Sequence, residues 1–169
     1  METHKTLILN SLKIEQMIDR MAWEIYENNS SESEVIVVGI RANGYILARK
    51  IAAVLEKISP LKVRQFEIMI DKKNPVSQQV EVPVVLEELH DKVLVVVDDV
   101  LNSGKTLLYG IKPFLAIPLK RLQTAVLVDR NHNRYPVKSD YTGLSLATTL
   151  REHVSVELDK PGEEAVYLM

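Results

Sequence analysis

The chain has 169 residues, 46% of them apolar and 26% charged, with a formal net charge of -2 and no cysteine. That length supports one core burying about 70% of the surface an unfolded chain exposes, and the missing thiols exclude a disulfide framework, a CxxC redox pair, a cysteine nucleophile and a thiolate zinc site. No apolar run reaches the roughly 20 residues of a bilayer span, Met1 to Asn10 lacks a secretory layout, and the near-neutral charge argues against gripping nucleic acid by bulk electrostatics, so one cytoplasmic domain without a membrane partner is expected over residues 1–169.

Between Ser11 and Asn28, the apolar residues Leu12, Met17, Ile18, Met21, Ala22 and Ile25 fall near helical spacing, which predicts an amphipathic helix covering a sheet. Glu34 to Gly39 is a β-branched run of the kind buried on both faces of a parallel sheet, and a helix from about Tyr45 to Lys57 follows. A strand through Val63 to Ile70 leads into the polar segment Asp71 to Gln79, which reads as a loop. Val93 to Val97 is the most apolar strand and ends in Asp98-Asp99; the next helix runs from about Gly104 to Leu115, before Pro118 forbids continuation. Leu122 to Val128 is a further buried strand. Strand, helix, strand, strand, helix, strand is the order of an α/β domain with a mostly parallel twisted sheet flanked by helices. Beyond Asp129 come short extended pieces, Tyr135 to Tyr141, Val154 to Leu158 and Ala165 to Leu168, which predict a small cap or an extension of the sheet.

Ligands of open parallel sheets bind beyond the carboxyl ends of the strands, and two such places carry chemistry. The adjacent carboxylates Asp98 and Asp99 are costly at a buried strand end unless they meet hydroxyl donors or a cation. Directly after them, Asn102-Ser103-Gly104-Lys105-Thr106 opens a helix whose free N–H groups favour a phosphate, with hydroxyls from Ser103 and Thr106. Carboxylates for sugar hydroxyls, followed by a phosphate cradle, describe a ribose 5-phosphate site. A Walker A loop is excluded because Asp99 stands where that motif needs glycine, and Gly39 to Gly44 lacks the central glycine of a dinucleotide fingerprint. That second turn either offers Arg41 to a pyrophosphate between glycines that allow close backbone approach, or is a plain strand-to-helix turn.

Val93 to Leu107 resembles the signature of type I phosphoribosyltransferases, α/β proteins with a small hood that bind phosphoribosyl pyrophosphate (PRPP). The resemblance implies that Asp98 and Asp99 hold the ribose hydroxyls. It likewise implies that Leu101, Asn102, Ser103, Gly104, Lys105 and Thr106 hold the 5-phosphate, and that Arg41, Ala42 and Asn43 hold the pyrophosphate. Ala125 to Gly143 is similar, more narrowly, to the matching region of the PyrR family, which attenuates the pyrimidine operon by binding RNA and has uracil phosphoribosyltransferase activity.

These resemblances imply transfer of the phosphoribosyl group to a ring nitrogen of a nucleobase, with uracil favoured and Mg2+ assisting, and self-association into homo-oligomers. Asp159 is a candidate metal contact or else a surface acid of the turn before Lys160-Pro161-Gly162. Base recognition falls to Asp129, Arg130 and His132, which also read as water-exposed loop residues. In the loop that closes over substrate in PyrR, Lys72 replaces an arginine and joins Asp98 and Asp99 as a catalytic residue; Asn43 replaces another arginine in the glycine turn. Lysine keeps the charge but loses the bidentate fork for pyrophosphate oxygens. Asn102 stands where the hypoxanthine-guanine enzymes carry an aspartate, and an amide cannot usefully exchange a proton, which disfavours purine chemistry. The alternative is an RNA-binding regulator using PRPP or a nucleotide as ligand. Lys112, Lys120, Arg121, Arg130, Arg134 and Lys138 would then form its basic face, or else they are ordinary solvated surface.

Overall fold

The computed structural model describes residues 4–169, so the first three residues of the stretch read for a secretory signal lie outside the described residues. In chain order the elements are β1 (Thr6–Leu9), α1 (Ser11–Asn28), β2 (Glu34–Ile40), α2 (Asn43–Ile58), β3 (Lys62–Ile68), β4 (Val93–Leu101), α3 (Lys105–Ile111), β5 (Arg121–Asp129), β6 (Tyr141–Ser145), β7 (Val154–Glu157) and β8 (Ala165–Leu168). Five strands form one sheet in the order β3-β2-β4-β5-β6, with every neighbouring pair parallel. The other three form an antiparallel cap in the order β1-β8-β7.

Strand alternation explains why the central run is apolar throughout. Val93, Val95 and Val97 of β4 enter the core shared with α1 and α2, whereas Leu94 and Val96 enter the opposite core with Leu107 and Phe114. Each such buried aliphatic side chain stabilises the fold by about 1.5–3 kcal/mol. Helix α1 starts where Asn10 accepts the backbone N–H of Lys13 at 2.9 Å, and it buries Ile14, Ile18, Met21, Ala22 and Ile25 on one stripe. The cap is tied to the helices by Glu164, a buried carboxylate that accepts from Lys50 at 2.7 Å and from the Ser11 hydroxyl at 2.6 Å.

The expected α/β order with a mostly parallel sheet is present, and α1 has the bounds its periodicity predicts. Four details differ. β4 continues through Asp98 and Asp99 to Leu101 rather than ending before them. The helix expected up to Leu115 is α-helical only to Ile111 and then tightens into a 3-10 segment, Lys112–Ala116, where Pro113 has no N–H to continue the ladder. The extended piece expected over Tyr135 to Tyr141 becomes a strand only at Tyr141 and runs on to Ser145, adding β6 to the sheet edge. Finally β1, which had no prediction, pairs with β8. Cap and sheet extension are therefore both built from the last third of the chain, with β1 completing the cap. Among the described residues, no helix is long and apolar enough to cross a membrane.

Candidate active site

The carboxyl ends of β2, β4 and β5 face the polar turns, and the acid pair lies at their centre. Asp98 is only 3% exposed, and its Oδ1 accepts a hydrogen bond from Lys72 Nζ at 2.9 Å. The same ammonium lies 3.7 Å from Asp99 Oδ1, so a residue of the long polar loop after β3 bridges both acids. Burial, and then the Asp99 charge, push the Asp98 carboxyl up to about 7, while Lys72 pulls in the other direction. For Lys72, burial alone would lower the pKa, but the two carboxylates outweigh it and the ammonium is raised above its usual range.

The turn after β4 forms a hollow of about 30 Å3 lined by Asp98 and Val100 to Leu107. Gly104 is what lets the chain turn there. Its φ is +88°, and a Cβ would stand 2.6 Å from Val137 Cγ1. The Ser103 carbonyl accepts from the backbone N–H groups of Arg134 and Tyr135 at 2.8 and 3.1 Å, and its hydroxyl accepts from Lys105 N at 3.2 Å, so the turn is braced from outside.

The glycine turn after β2 packs directly against the acids. A Cβ on Gly44 would lie 2.7 Å from the Val97 carbonyl and 3.2 Å from Asp98 Oδ1, so no larger residue fits between α2 and β4. The Arg41–Ala42 peptide bond is cis. Asn43 donates through Nδ2 to Asp99 Oδ2 at 3.1 Å and to the Val156 carbonyl of the cap at 2.9 Å. Arg41 points elsewhere. Its guanidinium lies 3.8 Å from Glu67 and 3.7 Å from Met69 Sδ, and the side chain is 58% exposed.

The residues read as base contacts sit in the segment between β5 and β6, where protein partners take up most of their polar groups. Arg130, buried at 7% exposure, donates to Asn102 Oδ1 at 2.8 Å, to Thr148 Oγ1 at 3.0 Å and to the carbonyls of Thr149 and Glu152. His132 Nε2 lies 2.6 Å from the Thr148 carbonyl, which fixes that nitrogen as the donor. Asp129 accepts from Asn131 N at 2.8 Å in a local turn. Asp159 is exposed in the turn between β7 and β8, and among the described residues no three acids or histidines gather as a metal cage.

Thus Lys72, Asp98, Asp99 and Asn43 form one contact network, Leu101 to Thr106 line the adjoining hollow, Arg130 and His132 brace the segment beginning at Thr148, and Arg41 and Asp159 stand apart from the acids. The turn between Gly39 and Gly44 was legible as a place of close backbone approach, and the approach that Gly44 makes is to Val97 and Asp98. Sequence reasoning passed over Val156, Thr148 and Glu152: Val156 and Glu152 act through backbone carbonyls that any residue type supplies, and Thr148 through its carbonyl and its hydroxyl.

Residues 4–161 match the phosphoribosyl transferase domain model, and the chain belongs to that family of pentosyltransferases. Within it, the chain is 32% identical to the bifunctional protein PyrR of Macrococcus caseolyticus over 171 residues, covering 97% of this chain and 98% of that protein. It is 34% identical to the bifunctional protein PyrR of Clostridium acetobutylicum, covering 95% and 94%. The solved hypoxanthine phosphoribosyltransferase of Trypanosoma cruzi shares the fold, with a TM-score of 0.77 over 95% of each chain at 14% identity.

Proposed function

We propose that this protein transfers the phosphoribosyl group of PRPP to a small nucleobase, with uracil the favoured acceptor, in a Mg2+-assisted reaction. The observation that carries the reading is the convergence on β4: two carboxylates, the hollow of the turn that follows them, and a glycine turn packed against the same acids without room for a Cβ. Such a surface matches the three parts of the donor, namely ribose hydroxyls, 5-phosphate and pyrophosphate. Uracil is supported by the likeness to the PyrR proteins and by Asn102, whose carbonyl oxygen is held by Arg130 and whose amide cannot shuttle a proton for a purine nitrogen.

In the reaction, the bond from ribose C1 to pyrophosphate breaks with its electron pair leaving on the pyrophosphate. C1 then bonds the ring nitrogen, which releases its proton. Positive charge grows on the ribose beside Asp98 and Asp99, where fixed carboxylates stabilise it. Lys72 occupies the place the ribose hydroxyls take, so it turns away when PRPP binds, and its ammonium becomes available to pyrophosphate oxygens. The acid pair already draws a cation in the form of Lys72, and hard carboxylate oxygens suit Mg2+, which takes one or two carboxylates together with water and substrate oxygens. Asp98 and Asp99 are this chain's candidate holders, and Asp159, exposed on the turn between β7 and β8, is a candidate for a separate or water-mediated contact. Once bound, the ion neutralises charge developing on the leaving pyrophosphate.

The resemblance to PyrR also raises RNA as a ligand, but the proposed basic face is partly consumed. Lys120 and Arg121 pair with Glu32, and Arg130 is buried. Transfer is therefore put before RNA binding. Incubation with PRPP, Mg2+ and a panel of bases tests the assignment: uracil should release pyrophosphate. If no base turns over, transfer is overturned even where PRPP raises the melting temperature.

A further inference from the structure

Asn43 stands in the turn assigned to pyrophosphate, yet both N–H groups of its amide are directed inside the protein, one to Asp99 Oδ2 at 3.1 Å and one to the Val156 carbonyl at 2.9 Å. The opposite orientation of the amide is excluded by chemistry, because it would set an oxygen against a carboxylate and a carbonyl, neither of which can donate. What the side chain has left for an anion is an acceptor oxygen. The backbone around it has no room to slide, since Gly44 is pressed against Val97 and Asp98. We infer that Asn43 is a positioning residue: its amide orients Asp99 toward the ribose and ties that carboxylate to cap strand β7, so that one side chain couples the sugar grip to the seating of the cap.

This inference rests on the transferase reading and gives the two acids different supports. Asp98 takes its side-chain hydrogen bond from Lys72, on a loop that has to move, whereas Asp99, 3.7 Å from the same ammonium, takes its own from the first residue of α2, which is fixed to the sheet. The immobile partner keeps one acceptor in place while the other is uncovered.

The test compares Asn43→Ala and Asn43→Asp in the full chain with PRPP, Mg2+ and uracil. Asn43→Ala should raise the KM for PRPP by about tenfold, the size of one charge-assisted hydrogen bond, with the KM for uracil within about twofold. Asn43→Asp is closer in shape but puts a carboxylate against Asp99 and the Val156 carbonyl, so its PRPP KM should rise further, by about a hundredfold. A side chain that merely filled space would give the reverse ranking, with the isosteric variant milder. That ranking, or PRPP KM values within twofold of the unmodified protein, overturns the inference. If the unmodified protein neither turns over any base nor responds to PRPP, the transferase reading and the ribose part of this inference fail together. The tie to the cap is then judged separately by hydrogen exchange in the ligand-free protein. There Asn43→Ala should speed exchange of the Val154–Glu157 amides by about tenfold, and unchanged exchange overturns the tie.

Discussion

The turn after β4 and the segment between β5 and β6 both follow a buried strand of the same sheet, and both are rich in polar residues, yet they use them in opposite ways. In the first, backbone groups from outside brace the Ser103 carbonyl, and the carboxylates of Asp98 and Asp99 meet the backbone N–H groups of Asp99 and Val100, the Lys72 ammonium and the Asn43 amide. In the second, Arg130, His132, Asn131 and Asn133 are each bonded to Thr148, Ser145, Val137 or their neighbours. Polar side chains whose hydrogen bonds are already made inside the protein hold a loop, and those left with displaceable partners are free for a ligand. The two regions meet at several bonds: Arg130 donates through its side chain to Asn102 and through its backbone N–H to the Leu101 carbonyl, and Arg134 and Tyr135 supply the N–H groups that brace Ser103.

The largest effect expected from this contrast comes from the acids. Replacing both Asp98 and Asp99 by alanine should abolish PRPP binding, by at least about a hundredfold in calorimetry, while the far-ultraviolet circular dichroism stays native. Unchanged affinity would sink the assignment of the first region. In the second region the dominant loss should be stability. Arg130→Ala removes a buried guanidinium and leaves carbonyls at Thr149 and Glu152 without their donor, at a cost of about 3 kcal/mol in denaturant unfolding. A variant as stable as the unmodified protein but unable to use the base would move Arg130 into the ligand-binding set and erase the difference between the two regions.

Which region a polar residue serves was only half legible in the sequence. The parallel core could be read because Val93 to Val97 and Val35 to Gly39 are apolar on both faces, and only a doubly covered strand tolerates that. The acid pair could be read because two adjacent carboxylates after such a strand need a partner. Arg130 and His132 looked equally chemical, since nothing local reveals that Thr148 and Glu152, about 20 residues later, return to meet them. Strand β1 was missed for a similar reason: four residues with no alternation become a strand only because β8 comes back to pair with them.

A pH experiment sharpens the contrast at Asp98 itself. Its folded pKa, about 7, lies above the ordinary value of 3.8. Below about pH 4 the carboxyl is protonated both folded and unfolded and costs nothing. As pH rises from there toward 7 the unfolded chain gives up the proton while the fold retains it, so stability falls, and above about 7 the cost is fully present. Asp98→Asn should therefore raise the melting temperature at pH 8 and leave it nearly unchanged near pH 4. An equal gain at both values would show that burial of the charge is not what strains this position. For the unmodified protein, PRPP affinity should weaken as pH drops through about 7, because the protonated acid loses acceptor capacity toward sugar hydroxyls.

The smallest effect is the most direct way to break the comparison, because it concerns a residue that could belong to either region. His132 is half-buried, and its Nε2 must carry the proton, since the Thr148 carbonyl 2.6 Å away can only accept. If that bond is its whole task, His132→Ala should cost about 1 kcal/mol of stability. His132→Gln, whose terminal amide can deliver an N–H to the same carbonyl, should recover most of that loss, and both variants should keep kcat and the KM for the base. If the imidazole instead meets the base, glutamine will restore stability without restoring the reaction, and a tenfold or larger fall in kcat/KM for the base will persist in both. Stability rescued together with activity keeps His132 among the residues that hold the segment; stability rescued alone transfers it to those that read the substrate.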